Sequence, residues 1–295
     1  MRISIITINY NNAEGLKKTL ASVAAQTYRD IEHIIIDGGS TDGSVEAIKE
    51  YVAANPNIDP FFKHTLKWVS EKDNGIYNAM NKGIRKATGT YIQVLNSGDI
   101  LAAPDVTERM IRAAEEVEYP GIIYGNMIRD LGNGKLSKDV CHGDRAKKAE
   151  GGKWKVERIE WTMDDFIKGT VNHDPTYIRA DLYKKYGLYD ENLKIVSDWK
   201  WFVNAVVFGG EKLYYVPIDV TIFDTTGISE TNLEFREKER HAEQEKMLPA
   251  AILKDYEHYH FPMEQYKRLK KYHMWGLVYF LERVFFKLEK WKILR

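Results

Sequence analysis

The sequence predicts an α/β fold in which a mostly parallel sheet is flanked by helices and followed by a C-terminal helical extension. Three observations carry this. Short, nearly continuous apolar runs recur along the first hundred residues; helical stripes separate them; and each run stops at a cluster of Asn, Asp, Ser and Gly. Strands covered on both faces lose the in-out alternation of exposed strands, so the runs fit a parallel sheet buried between helices.

The elements follow in order. Residues 3–8 (ISIITI) read as a strand, and Leu16, Leu20, Val23 and Ala24 keep the spacing of one helix face. His33 to Ile36 form a second strand ending at Asp37. A helix is expected to start near Ser40, Thr41 and Asp42, whose side chains suit an N-cap, and to continue through Val45, Ile48 and Val52. Residues 65–69 read as a strand, Gly75 to Ala87 as a helix and residues 90–95 as a strand that stops at Asn96 to Asp99. In open parallel sheets ligands bind beyond the carboxyl ends of the strands. Here those ends carry Asn9, Tyr10 and Asn11, then Asp37, Asp73 and Asp99, so four loops are expected to converge on one crevice.

The expected helix at 75–87 has two stripes. Ile76, Ala79, Met80, Gly83, Ile84 and Ala87 mark a core face, while Asn78, Asn81, Lys82 and Arg85 mark the opposite side. An Asn/Lys/Arg face suits phosphate or sugar hydroxyls as well as solvent. Residues 94–99 (VLNSGD) deliver a carboxylate, Asp99, to the crevice. Magnesium and manganese accept one or two protein carboxylates together with phosphate oxygens, and such an ion neutralises a departing diphosphate.

Composition narrows the class. Hydrophobic residues at 44% and charged residues at 29% describe an ordinary globular chain of 295 residues. A single cysteine, Cys141, excludes an intramolecular disulfide and fits a reducing compartment. The N-terminus lacks the pattern of a secretory signal, and no apolar run reaches membrane-spanning length, so a cytoplasmic location is expected. The 43 basic and 43 acidic residues balance, but residues 266–295 hold nine Lys and Arg against Glu282 and Glu289. Apolar residues from Met274 to Trp291 recur there at helical spacing, giving a basic amphipathic helix. Its apolar face suits the protein's own core, a second copy in a homodimer, or the inner face of a membrane; the charge segregation favours an anionic membrane surface. Nucleic acid is not an expected partner, because the remaining chain is acidic.

Residues 6–12 (ITINYNN), 34–44 (IIIDGGSTDGS), 71–84 (EKDNGIYNAMNKGI) and 94–99 resemble, in order and spacing, the successive motifs of glycosyltransferase family 2, inverting enzymes of the GT-A fold. A looser likeness runs to about residue 230 through residues 172–204. The resemblance implies a catalytic domain over 1–230, with a nucleotide-sugar half at 1–100 and an acceptor half at 101–230, followed by a helical extension over 231–295. It implies that Ile8, Asn9, Tyr10 and Ser97 line the donor pocket, that Asp37 accepts a hydrogen bond from the base, and that Asp73, Asn78 and Lys82 lie near the nucleotide, phosphates or donor sugar. Asp99 would hold manganese or magnesium. Asp198 would be the general base, with His173 and Trp199 on the acceptor side. The chain departs from the family pattern where acids are frequent: Asp37 is followed by Gly38, Asp99 is preceded by Asn96, Ser97 and Gly98, and Ser197 precedes Asp198.

The implied reaction moves a sugar from a nucleotide-sugar, expected to be a UDP-sugar, to a hydroxyl of a saccharide or lipid-linked acceptor, as in bacterial surface-polysaccharide assembly. Two alternatives are a nucleotidyltransferase, against which the absence of a basic Gly-rich loop after the first strand argues, and a catalytically weak nucleotide-binding scaffold, against which retention of Asp99 and Asp198 argues.

Overall fold

The computed structural model describes residues 1–55, 65–133, 135–139 and 156–256, and further on only 258, 276, 279, 280 and 283. Cys141 and most of the basic helix predicted over 266–295 therefore lie outside the described residues. The chain divides into two compact units, Met1–Arg236 and Glu237–Arg295. Among the described residues no helix is long and apolar enough to cross a membrane.

The first unit begins with strand β1 (Ile3–Asn9), helix α1 (Ala13–Ala24), β2 (Ile31–Asp37), α2 (Ser44–Ala54), β3 (Thr65–Ser70), α3 (Ile76–Lys86) and β4 (Tyr91–Asn96). Every residue of β1 and β2 is buried, which is why their sequences show no alternation. Each such isoleucine contributes about 1.5–3 kcal/mol of apolar burial. β1 pairs in parallel with β2 on one side and β4 on the other, and β2 pairs in parallel with β3 at the sheet edge. Leu16 and Leu20 of α1 pack with Ile35 and Ile48 on one side of the sheet.

After β4 come β5 (Ile100–Leu101), α4 (Val106–Glu116), β6 (Ile122–Asp130), β7 (Leu136–Asp139), β8 (Glu157–Ile159), α5 (Met163–Lys168), β9 (Thr176–Arg179), α6 (Ala180–Tyr186), α7 (Ser197–Phe202) running into a π-helical turn over 203–208, β10 (Leu213–Asp224), α8 (Ile228–Thr231) and α9 (Leu233–Met247). The sheet order is β3-β2-β1-β4-β9-β6-β10-β5, with β7 added on β6 and β8 on β10. The predicted α/β architecture is present, but the sheet is mixed. Its first four strands are parallel, whereas β9 runs antiparallel to both β4 and β6, and β5, β7 and β8 also pair antiparallel. A single strand, β9, thus joins the parallel half to the β6–β10 half.

One local expectation changes. α2 starts at Ser44 with Gly43 as its cap; of the three residues expected to cap it, Asp42 accepts from Ser44 N at 3.2 Å, while Ser40 and Thr41 bind elsewhere. The Ser40 hydroxyl donates to Asp37, Thr41 N donates to Asn11 Oδ1, and Asp42 accepts from Ala13 N and from the Ser44 hydroxyl. These side chains tie the loop after β2 to the loop after β1 instead of extending the helix.

Candidate active site

A cavity of about 670 Å³ opens at the carboxyl ends of β1 and β4. Five of the expected donor residues line it: Ile8, Asn9, Tyr10, Asp73 and Ser97. Gly38, Lys72, Ile76, Asn96 and Ile228 line it too.

Asn9 shows how the wall is built. Its Nδ2 donates to Asp37 Oδ1 at 2.7 Å and to the Ser40 hydroxyl at 3.2 Å. An ionised carboxylate only accepts, so the amide nitrogen must face Asp37 and the amide oxygen faces the other way. That oxygen is buried and has no partner. Asp37 itself does not line the cavity: it is fully buried and also accepts from Gly39 N, Ser40 N, and the Ser40 and Ser70 hydroxyls. Burial alone would raise its pKa, but these donors outweigh burial and hold it below the usual carboxylate range. Asp37 is therefore saturated by the protein, and the free acceptor at the wall is Asn9 Oδ1.

Gly38 allows the opposite lip to close in. A Cβ at residue 38 would lie 2.5 Å from Asp73 Oδ2 and 3.1 Å from the Tyr10 ring. The Asp73 carboxylate therefore fills the space of the side chain that Gly38 lacks, with Gly75 N donating to its other oxygen at 3.0 Å. Tyr10 is exposed beside it, a flat apolar surface next to hydrogen-bonding groups.

The polar stripe of α3 serves another purpose than the one expected. Asn78 donates to Glu191 Oε2 at 2.6 Å and Asn81 to Glu191 Oε1 at 2.8 Å, while Lys82 pairs with Glu71 at 2.9 Å. Neither Asn78 nor Lys82 lines the cavity. Asn81 also holds the backbone of Tyr189. The neighbouring Tyr77 hydroxyl bridges Ile195 O and Asp198 Oδ1, at 2.5 and 2.9 Å. α3 thus grips the loop that leads into α7, where Asp198 sits.

Asp198 is partly buried in the first turn of α7 and is not its N-cap. Its Oδ2 lies 3.0 Å from His173 Nδ1. Burial pushes its pKa up, but His173 and Tyr77 overcome that and hold Asp198 below the usual range. His173 is flanked on its other nitrogen by Asp174 Oδ1 at 3.1 Å and by the side-chain amide of Asn96 at 3.2 Å, whose oxygen is the end that can accept from a charged imidazole. Burial opposes its charge, yet the two carboxylates raise its pKa well above that of a free imidazole. A string therefore runs from Asp198 through His173 to Asn96 on the cavity wall.

Asp99 lies off the cavity. It is 2% exposed, its Oδ1 accepts from Asp224 N at 2.9 Å, and its Oδ2 has no hydrogen-bond partner. Burial first, and then the facing carboxyl of Asp174, push it well above the usual range. Among the described residues no group of three or more His, Cys, Asp or Glu converges as a metal site, so an ion here depends on phosphate oxygens. Trp199, expected on the acceptor side, is instead a core residue: it is 1% exposed and its Nε1 donates to Phe166 O at 2.7 Å. In its place the sequence reading missed Tyr77, Asp174 and Glu191. Tyr77 was hidden between the two stripes of its helix, Asp174 by adjacency to His173, and Glu191 by its polar loop.

The profile of glycosyl transferase family 2 matches residues 4–178. The chain belongs to this family. A glycosyltransferase of Mycobacterium tuberculosis with no assigned activity is 31% identical over 233 residues, covering 77% of this chain and 76% of that protein. A PGL/p-HBAD biosynthesis glycosyltransferase of Mycobacterium bovis is 28% identical over 202 residues, 68% of each chain. Among solved structures, residues 1–349 of Staphylococcus aureus TarS in complex with UDP superpose with a TM-score of 0.59 at 16% identity, covering 89% of this chain and 72% of that one. Against a longer TarS chain the TM-score is 0.55 at 15% identity, with 85% of this chain matching 41% of that one. A Pyrobaculum calidifontis mannosyltransferase in complex with GDP-Man and Mn2+ gives 0.54 at 16% identity, over 75% of this chain and 56% of that one. These likenesses agree with the GT-A fold, and the glycosyltransferase assignment rests on the family match and the mycobacterial relatives.

Proposed function

We propose that this glycosyltransferase is a divalent-metal-dependent, inverting enzyme that moves a sugar from a UDP-sugar to a hydroxyl of a saccharide or lipid-linked acceptor. The observation that carries the reading is Asp198: a partly buried carboxylate held ionised by Tyr77 and His173, and linked by His173 to Asn96 at the end of β4. A carboxylate so placed can take the proton of the acceptor hydroxyl as its oxygen attacks the anomeric carbon from the side opposite the diphosphate. Inversion follows from that geometry. On the cavity wall, Asn9 Oδ1 and the Asp73 carboxylate are acceptors beside the Tyr10 ring, which suits a flat base with an N–H, such as uracil, over cytosine, whose ring nitrogen accepts. A divalent ion bound with the donor would neutralise the leaving diphosphate.

The test is a donor screen read by product mass spectrometry, with manganese present or chelated, on the wild type and Asp198→Asn. Transfer from a UDP-sugar is expected, with the variant still binding UDP but turning over at least about 100-fold more slowly. Near-normal turnover by Asp198→Asn removes it as the base. The basic segment 266–295 supports a further expectation of reversible attachment to anionic lipid, where each basic residue adds about 1 kcal/mol at most. Vesicle sedimentation of the whole chain and of a chain ending at Pro262 tests it; equal binding rejects the membrane role.

A further inference from the structure

We propose that Asp224 is the carboxylate this glycosyltransferase presents to the divalent ion on its donor diphosphate, and that Asp99 acts only by fixing Asp224 in place. The proposal rests on the metal-dependent reading given above.

Gly98 is the starting point. Its φ of +110° is one that side chains rarely adopt, and a Cβ built there would lie 2.7 Å from Asp224 Oδ2. The carboxylate of Asp224 therefore occupies the space a side chain at residue 98 would take. Residue 98 follows Ser97, and Asp224 lies four residues before Ile228; both neighbours line the cavity. An aspartate from the last strand of the sheet has thus entered the rim at the end of β4.

Its placement is rigid. Asp224 closes β10, paired with Asp130 of β6, and its N–H donates to Asp99 Oδ1 at 2.9 Å. Its Oδ1 accepts from Thr226 N at 2.9 Å, which leaves Oδ2 as the oxygen over Gly98. Asp99 is a poor ligand by contrast: it is sunk beneath the rim with one oxygen spent on Asp224 N and its carboxyl facing Asp174. A second observation points to a ligand at this rim. Asn96 lines the cavity, and the end of its side-chain amide that faces away from His173 is buried without a partner, so a polar group is needed there to complete it. Hard divalent ions on diphosphates need only one or two carboxylates, with phosphate oxygens and water supplying the rest. Asp224 Oδ2 fits that requirement.

The experiment is a manganese titration of the intact protein saturated with UDP, read by the loss of the free-ion electron paramagnetic resonance signal. Asp224→Asn, which keeps the oxygen that accepts from Thr226, should weaken manganese binding in the UDP complex at least about tenfold. Its UDP affinity in chelator, measured by calorimetry, should match the wild type and show that the pocket is intact. Asp99→Asn, which keeps an acceptor for Asp224 N, should bind manganese within about threefold of the wild type. Wild-type manganese affinity in Asp224→Asn, or a tenfold loss confined to Asp99→Asn, overturns the assignment. If the wild type binds UDP but its UDP complex takes up no manganese, the metal-dependent reading fails and this proposal falls with it. A wild type that binds manganese while Asp224→Asn does so equally well defeats the proposal alone.

Discussion

Two buried acid clusters flank the cavity, and they solve the problem of buried charge in opposite ways. Around Asp37, at the end of β2, the protein supplies an excess of donors: two backbone N–H groups, two hydroxyls and the Asn9 amide all point at one carboxylate. Around His173, beyond the end of β4, the protein supplies an excess of acids: Asp174 and Asp198 share one imidazole, and Asp99 faces Asp174 with one backbone donor of its own. Both aspartates follow a buried parallel strand, yet Asp37 is held below the usual carboxylate range and Asp99 well above it. The motif sets where an acid sits; the number of donors around it sets its charge.

The comparison is tested most severely by removing the cation from the acid-rich cluster. His173→Ala leaves Asp174 and Asp198 buried without the group that pairs them, and should lower stability by about 3–5 kcal/mol at neutral pH, read from the midpoint of urea unfolding. A loss below 1 kcal/mol would mean that the imidazole is not charged there. The donor-rich cluster is probed by Asp37→Asn, whose amide NH2 would face N–H and O–H donors from which the carboxylate oxygen accepted. The expected cost is about 2–3 kcal/mol. Because the folded-state pKa of Asp37 lies below its unfolded value of about 3.9, this stabilisation is present in full above that pH and is lost as pH falls through the folded value. The gap between wild type and Asp37→Asn should therefore narrow on acidification below about pH 4, and a gap that stays constant would contradict the assignment of charge.

Asp99→Asn should show the smallest effect. It keeps an oxygen for Asp224 N and exchanges an acid facing Asp174 for an amide that can donate to it, so stability should change by less than about 1 kcal/mol. A destabilisation as large as that of Asp37→Asn would show that the two strand ends are alike after all.

The strands, the order of the motifs and part of the cavity lining were legible in the chain. Ile3 to Asn9 and Ile31 to Asp37 are buried throughout, and continuous burial writes itself into a continuous apolar run. Ile8, Asn9, Tyr10 and Ser97 line the cavity because a parallel strand leaves its next residues at the carboxyl edge whatever the rest of the chain does. The antiparallel strand β9 was not legible, since four residues carry too short a pattern to reveal direction. Nor was the fate of the α3 polar stripe. Asn78 and Asn81 show a helix face from their spacing, but their partner, Glu191, is more than a hundred residues away.

The sequence by itself determined the family, through the resemblance of its motifs, and the parallel half of the sheet and part of the cavity lining, through local periodicity and the fixed geometry of strand ends. Only the tertiary structure decided which acids face the cavity and which are charged. Asp73 fills the space beside Gly38 and Asp224 the space above Gly98, each delivered by a segment remote from the glycine it completes. A carboxylate's charge depends on the donors and acids brought within a few ångströms of it, and folding chooses those neighbours from across the whole chain.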